Sequence, residues 1–290
     1  MSYTVFTDGC SNLSGELISR FDIHVLPCSY LMDDEPAVYE GDIEAFDSHG
    51  FYEKLRNGST LKTSLLNVNV FLTNFRPELE AGRDVVYVGL SSGVSGTVQS
   101  AIIASQQLAV EFPERTVRVV DSLGAALGPG LLSCRAAELR DEGKTAAEAG
   151  DILDVEVSQL LQFFTVADLN FLKRTGRVSG PTAAIGTVLN IKPLLWGDPT
   201  GHIVAYSKCR GRQKAIDAIV EQYRTKAVNP QNQRIGITHG DCPEEAEYLA
   251  KRVCEICEPK EFIIVPHEPF TGSHVGPGML ALYFFGEERK

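Results

Sequence analysis

Short apolar runs alternate with longer amphipathic stretches along the first half of the chain. Tyr3 to Phe6 is a compact apolar run closed by the turn Thr7-Asp8-Gly9, and residues 23–32 read as another strand, with Pro27 inside it. Residues 42–56 are amphipathic, with an Asp cap and Gly58 just past the end, which predicts a helix. Residues 61–67 read as a polar loop, and residues 68–81 as a helix stopped by Gly82. The clearest unit follows: a buried strand at 84–90, a loop of small residues at 91–96 and a long helix at 97–112. A strand at 116–120, a loop at 121–130 and a helix to about Arg140 come next. Strands alternating with helices imply a parallel sheet covered on both faces. Ligands of such sheets sit beyond the carboxyl ends of the strands. Those ends carry Thr7-Asp8, Ser91-Ser92 and Asp121-Ser122.

The pattern changes near residue 156. Shorter strands are predicted at 161–166, 191–196, 203–207, 234–238, 262–265 and 281–285, with helices at 211–224 and 243–257. Gly197-Asp198-Pro199-Thr200-Gly201 reads as a hairpin turn. The expected architecture is α/β: an N-terminal domain over 1–156 with a mostly parallel sheet flanked by helices, and a smaller α+β domain over 157–290.

Composition narrows the function classes. With 43% hydrophobic and 22% charged residues the chain is not a disordered one. Its net charge of −11 disfavours a phosphate backbone as partner. The N-terminus lacks a basic segment followed by an apolar one, and no apolar run reaches the ~18 residues of a membrane span, so a cytoplasmic protein is expected. Seven scattered cysteines suit a reducing compartment, and Cys254-Glu-Ile-Cys257, with no second Cys or His pair nearby, reads as two ordinary helix cysteines.

Several segments could carry chemistry. The loop Ser91-Ser92-Gly93-Val94-Ser95-Gly96-Thr97 joins a strand to a helix, where free amides and a partial positive charge let an anion approach the backbone; the alternative is a plain glycine turn with a cap. It is neither a nucleophile elbow nor a phosphate loop. Thr63 and Ser64 precede a helix for which Asn67 is a candidate cap. Gly128-Pro129-Gly130 does not complete a dinucleotide fingerprint, since Ser133 stands at the third glycine position. Lys173, Arg174 and Arg177 make a basic run, and Arg210, Arg212 and Lys214 a second one at a helix start, where cations oppose the helix dipole. Gly272-Ser273-His274-Val275-Gly276-Pro277-Gly278 reads as a glycine-rich loop around one histidine.

Taken in order, these segments resemble the DegV family of bacterial fatty-acid-binding proteins. The marks are Thr7-Asp8, Thr63-Ser64, Ser91-Ser92-x-x-Ser95-Gly96-Thr97-x-Gln99-Ser100-Ala101 and Asp121-Ser122. They continue with Asp168-Leu169-x-x-Leu172-Lys173-x-x-Gly176-Arg177-x-Ser179, Leu189-Asn190-Ile191-Lys192-Pro193 and His274-x-Gly276-Pro277-Gly278. The resemblance implies a two-domain protein that holds one long-chain fatty acid in a tunnel between its domains, with no other cofactor. By that resemblance Thr63 and Ser95 hold the carboxylate, with Ser64, Gly96 and Thr97 as neighbours and His274 near the head group. Arg177, Arg210, Asp8 and Ser122 are secondary contacts to the head group or to a partner. Some members of the family present the acyl carboxylate to an ATP-dependent fatty acid kinase for phosphorylation to acyl phosphate, with at most transient membrane contact. The chain departs from the family pattern at Leu65-Leu66, where Gln-Pro is common, at Gly9 and at Thr175. Two other readings compete with a binding protein. One is an esterase or thioesterase with Ser95 as nucleophile, His274 as base and Asp121 or Asp8 as orienting group. The other is a DNA-binding regulator acting through the basic clusters.

Overall fold

The computed structural model describes residues 3–178, 182 and 190–289. Ser179 and Leu189, two of the marks above, lie outside the described residues. The contacts of the chain divide it into two compact units, Met1–Ala45 with Lys62–Val157 and Phe46–Leu61 with Ser158–Lys290. The chain thus enters the second unit at Phe46, returns at Lys62 and leaves again at Ser158.

The first unit is built on a four-stranded sheet, β1 (Tyr3–Asp8), β2 (Ile23–Leu26), β6 (Asp84–Gly89) and β7 (Val117–Asp121), all parallel and ordered β2-β1-β6-β7. β1 and β6 are buried along their whole length, as the central strands of a sheet covered on both faces must be. The helices α1 (Gly15–Phe21) and α5 (Leu127–Asp141) pack on β1 and β2, while α3 (Val68–Glu80) and α4 (Thr97–Glu111) pack on each other and on β6 and β7. α6 (Ala146–Gln159) completes this half. From β1 the sheet grows to β2 on one side and to β6 on the other. The β1/β6 seam is therefore the topological switch point, where the loops leaving the carboxyl ends part and open a crevice.

Pro27 splits what reads as one strand. Lacking an N–H, it ends β2, and the chain continues as β3 (Cys28–Met32) in a separate three-stranded sheet with β4 (Glu35–Tyr39) and β5 (Leu61–Thr63). Residues 61–63, expected as loop, are that third strand.

The second unit carries a six-stranded sheet ordered β10-β9-β8-β13-β11-β12, formed by β8 (Leu160–Thr165), β9 (Ile191–Gly197), β10 (Ile203–Arg210), β11 (Arg234–His239), β12 (Glu261–Pro266) and β13 (Leu280–Phe285). Only the β11/β12 pairing is parallel among those described. Its core gathers Phe163, Ile219, Tyr223, Ile237, Leu249 and Phe284 beneath α8 (Arg212–Lys226) and α9 (Pro243–Cys254). The predicted hairpin turn between β9 and β10 is present, with Asp198 N–H donating to the His202 carbonyl at 2.9 Å.

The helix expected over 42–56 begins only at Ser48. It is α2 (Ser48–Arg56), capped by Asp47, whose carboxylate accepts from Gly50 N–H at 2.9 Å. Asp42 instead holds the Gly15 and Glu44 amides of the first unit. The insertion that contains α2 is tied into the second unit by Tyr52, whose buried hydroxyl donates to the His267 carbonyl at 2.9 Å, and by Arg56, which reaches Asp241 at 2.5 Å. Among the described residues no helix is long and apolar enough to cross a membrane.

Candidate functional site

At the switch point of the first unit the side chains leaving β1, β6 and β7 build one rim. Thr7 donates to the Val88 carbonyl at 2.9 Å, fastening β1 to β6. Asp8 is almost wholly buried. Its carboxylate accepts from Tyr87 hydroxyl at 2.6 Å, Leu90 N–H at 3.2 Å and Cys10 N–H at 3.0 Å, and burial raises its pKa. Asp8 therefore anchors the start of the Ser91 loop from inside. Asp121 anchors the same loop from the other side, since one carboxylate oxygen accepts from both Ser92 N–H and Leu123 N–H at 3.1 Å. Ser122 is buried, and its hydroxyl is used within the turn, donating to the Gly124 carbonyl at 3.2 Å.

The loop held in this way ends at Gly96, the N-cap of α4, which makes no side-chain cap hydrogen bond. Ser95 lies half-buried beside the helix start, its Oγ 3.0 Å from Thr97 Oγ1 and accepting from Thr97 N–H at 3.3 Å. Two hydroxyls thus flank the opening of a 15-residue helix whose first-turn amides have no intrahelical acceptor. The Thr63-Ser64 segment comes to the same place. A Leu65 methyl carbon lies 3.3 Å from where a Cβ on Gly96 would be, so the loop after β5 rests directly against the loop after β6. Leu65 remains 49% exposed there, an apolar cover beside the hydroxyls. Ser64 is exposed, and its N–H donates to the Ser29 carbonyl at 3.4 Å. Asn67 caps α3 as expected, accepting from Asn69 and Val70 N–H.

In the second unit the expected glycine-rich loop is mostly helical. α10 (Pro269–Val275) includes His274 in its last turn and ends at Gly276, whose φ of +77° suits a residue without a side chain. Pro269 at the first position and Glu268 as N-cap explain the helix start. The Glu268 carboxylate, fully buried, accepts from Phe270 N–H at 2.5 Å, Thr271 N–H at 2.8 Å and the Thr271 hydroxyl. The Thr271 oxygen lies 2.7 Å from His267 Nε2, while His267 Nδ1 lies 2.8 Å from Thr238 Oγ1. This chain of hydrogen bonds fastens α10 to β11. Burial pushes the His267 pKa down to about 3 and that of His274 to about 4, where the charge of Arg177 also contributes, so both imidazoles are neutral near pH 7.

α7 (Asn170–Thr175), with Asp168 accepting from Asn170 N–H at 2.9 Å, precedes Arg177. The Phe171 ring abuts Gly276, and Ala167 abuts Gly278, whose added Cβ atoms would fall 2.5 and 2.9 Å from them. The structure thus brings the Asp168-to-Arg177 mark against the His274-to-Gly278 mark within this unit. Arg177 is exposed, its guanidinium donating to the Thr175 carbonyl. Arg210 is exposed at the end of β10, the edge strand. Arg212, a cation at a helix start, is occupied by Glu245 of α9 at 2.6 Å. Glu268, His267 and Tyr52 escaped the sequence reading: Tyr52 and His267 act on residues far along the chain, and the Glu268 cap was hidden by the glycines that follow it.

Gly272 sits where an added Cβ would fall 2.6 Å from the Tyr52 hydroxyl. Gly272→Ala is expected to destabilise the protein by about 1–3 kcal/mol in urea unfolding. Adding Tyr52→Phe, which removes the obstructing oxygen, should recover part of that loss. Equal destabilisation with and without the tyrosine hydroxyl would disprove the clash.

A family model described as "Uncharacterised protein, DegV family" matches residues 2–287. The chain belongs to the DegV family. A DegV domain-containing protein of Clostridium perfringens is 34% identical over 99% of both chains. The solved structure of a DegV family protein from Thermus thermophilus, described by its fatty acid binding, superposes with a TM-score of 0.87 at 32% identity and covers 99% of this chain and 100% of that one. A DegV lipid-binding protein of Thermotoga maritima superposes with a TM-score of 0.86 at 28% identity over the whole of both chains. The two solved structures share the α/β fold of this chain and are described as lipid or fatty acid binders.

The hydrolase reading finds no support in this DegV chain. The hydrogen-bond partners of Ser95 are groups of Thr97, not an imidazole. Asp121 and Asp8, the candidate orienting groups, spend their carboxylates on backbone amides and on Tyr87.

Proposed function

We propose that this chain binds one long-chain fatty acid without chemistry of its own and presents the carboxylate to a separate ATP-dependent fatty acid kinase. The observation that carries the reading is the pairing of the Ser95 and Thr97 hydroxyls with the start of α4, whose N-cap glycine offers no side chain and against which the Leu65 side chain rests. A carboxylate there gains hydroxyl donors and helix amides together, which is how one negative charge is stabilised away from bulk water. In this reading Thr63 and Ser95 donate to the carboxylate, with Ser64, Gly96 and Thr97 around it. In the same reading neutral His274 serves the head group as a donor or acceptor without net charge. Asp8 and Ser122 hold the rim in shape, and exposed Arg177 and Arg210 serve the head group or the kinase. No cofactor is needed, since the partner supplies ATP and this chain supplies position and desolvation.

The relatives support the ligand class, because the Thermus and Thermotoga proteins are described as binding fatty acid or lipid. The acyl chain provides most of the affinity. At roughly 0.8 kcal/mol per buried methylene, about fourteen of them contribute on the order of 10 kcal/mol before ordering costs. Native mass spectrometry of the purified chain tests the proposal. One adduct of fatty-acid mass, identified after extraction, is expected, and the loaded protein should stimulate acyl phosphate formation by the kinase. A chain that takes up no fatty acid on incubation sinks the binding reading, and a loaded chain without effect on the kinase sinks the presentation step alone.

A further inference from the structure

We propose that Asp8, Cys10 and Cys28 form a structural site for a thiophilic divalent cation of the zinc class. The three residues come from the end of β1, the single 3-10 turn that follows it (Gly9–Ser11) and the start of β3. Each offers one donor atom, all three donors lie within 4.8 Å of one another, and all three residues are almost wholly buried. The Cys10 and Cys28 sulfurs are 3.9 Å apart. Two thiolates on one tetrahedral zinc, each with a bond of about 2.3 Å, stand about 3.8 Å apart, so the pair is spaced for a shared metal without rearrangement.

The surroundings fit the same reading. Zinc sites combine ligands with groups that orient them, and Asp8 is oriented by Tyr87 hydroxyl, Leu90 N–H and Cys10 N–H. None of those partners is cationic, so among the described residues these hydrogen bonds give the carboxylate donors without a positive charge. A divalent cation supplies that charge. On binding, the two thiol protons pass to solvent as the cation loses coordinated water, and two thiolates with one carboxylate leave one net negative charge, which the three donors to Asp8 disperse. Gly9 leaves space for the cluster, since a Cβ there would lie 3.2 Å from the Cys28 sulfur. A cation at this point joins β1 of the parallel sheet to β3 of the small sheet, whose neighbour β5 ends at Thr63. It would therefore brace the segment that carries Thr63 against the switch point. The inference stands apart from fatty acid binding, because its test reads a metal signal and no lipid, so either proposal can fail without the other.

The test uses the full chain, reduced and stripped with a chelator, titrated with Co2+ under anaerobic conditions. One equivalent is expected to develop thiolate-to-cobalt charge-transfer absorption. Cys10→Ser and Cys28→Ser should each weaken cobalt binding at least a hundredfold, while Cys254→Ser with Cys257→Ser leaves it unchanged. The opposite pattern, with binding lost only when Cys254 and Cys257 are replaced, overturns the proposal, as does the absence of any thiolate band. X-ray absorption of the zinc-loaded unmodified chain requires no variant to fold. A shell of two sulfurs at about 2.3 Å with oxygen completing it is expected, and a shell of oxygen and nitrogen alone overturns the site.

Discussion

Replacing Thr63 and Ser95 together by alanine is expected to weaken binding of a long-chain fatty acid at least about a hundredfold while leaving the fold intact. A hydrogen bond to a charged acceptor contributes about 1.5–3 kcal/mol, so each lost hydroxyl weakens affinity roughly ten- to hundredfold. The fold should tolerate the change. Ser95 is half-buried on the rim, Thr63 ends a short strand, and the loops are held by Asp8, Asp121 and backbone hydrogen bonds that neither substitution touches. Isothermal titration with a free fatty acid and with its methyl ester separates the terms. The ester has no carboxylate charge, so its weaker binding should be nearly the same in wild type and double variant. If the free acid binds the double variant within threefold of wild type, the carboxylate is held elsewhere.

The second large effect is a loss of stability on mild acidification. Burial lowers the pKa of His267 from 6.5 to about 3 and that of His274 from 6.5 to about 4. A histidine kept neutral by the fold contributes its full stabilisation above the unfolded value, and that contribution is lost as pH falls toward the folded value. At ~1.4 kcal/mol per pH unit for each group, the two histidines remove on the order of 4 kcal/mol between pH 6.5 and 5. That window lies above the range in which most carboxylates titrate. His49 works in the opposite sense, because its hydrogen bond to Asp241 raises its pKa and strengthens with acid, but it is exposed and its effect is small. Urea unfolding at pH 7, 6 and 5 should show a midpoint falling steeply for wild type. His267→Asn should start lower at pH 7, having lost the Thr238 and Thr271 hydrogen bonds, and should fall less steeply. Parallel pH profiles for the two proteins would show that His267 is not the source.

Much of the first unit was legible because its signals are local. A buried strand, a run of small residues and a long amphipathic stretch follow one another from Asp84 to Phe112, and β6, the Ser91 loop and α4 stand there. The β7 strand and α5 follow the same rule. Where local signals conflicted, a single residue decided. Pro27 was visible inside an apolar run, yet its consequence, a change of sheet between Leu26 and Cys28, depends on which partners are available on each side. The histidine mark was recognised as a motif but misread as loop, since four glycines and prolines outweighed the start signal of Glu268-Pro269. A carboxylate cap is ordinarily a surface device, and only the three-dimensional packing shows that Glu268 is buried and linked through Thr271 and His267 to Thr238.

Periodicity and turn chemistry alone were sufficient to establish the α/β class, the parallel character of the first sheet and the strand ends that build its rim. These follow from side-chain spacing within windows of a few residues, where covalent neighbours fix which face each side chain takes. The ordered motifs likewise pointed to the DegV family. Only the tertiary structure decided which strands neighbour one another, and with that the position of the switch point between β1 and β6. It also assigned α2 to the second unit, through hydrogen bonds from Tyr52 and Arg56 to residues more than 180 positions away. The same applies to the meeting of Leu65 with Gly96 and to the gathering of Asp8, Cys10 and Cys28. Such contacts arise from the burial of whole elements against one another, a cooperative result that no window of sequence contains.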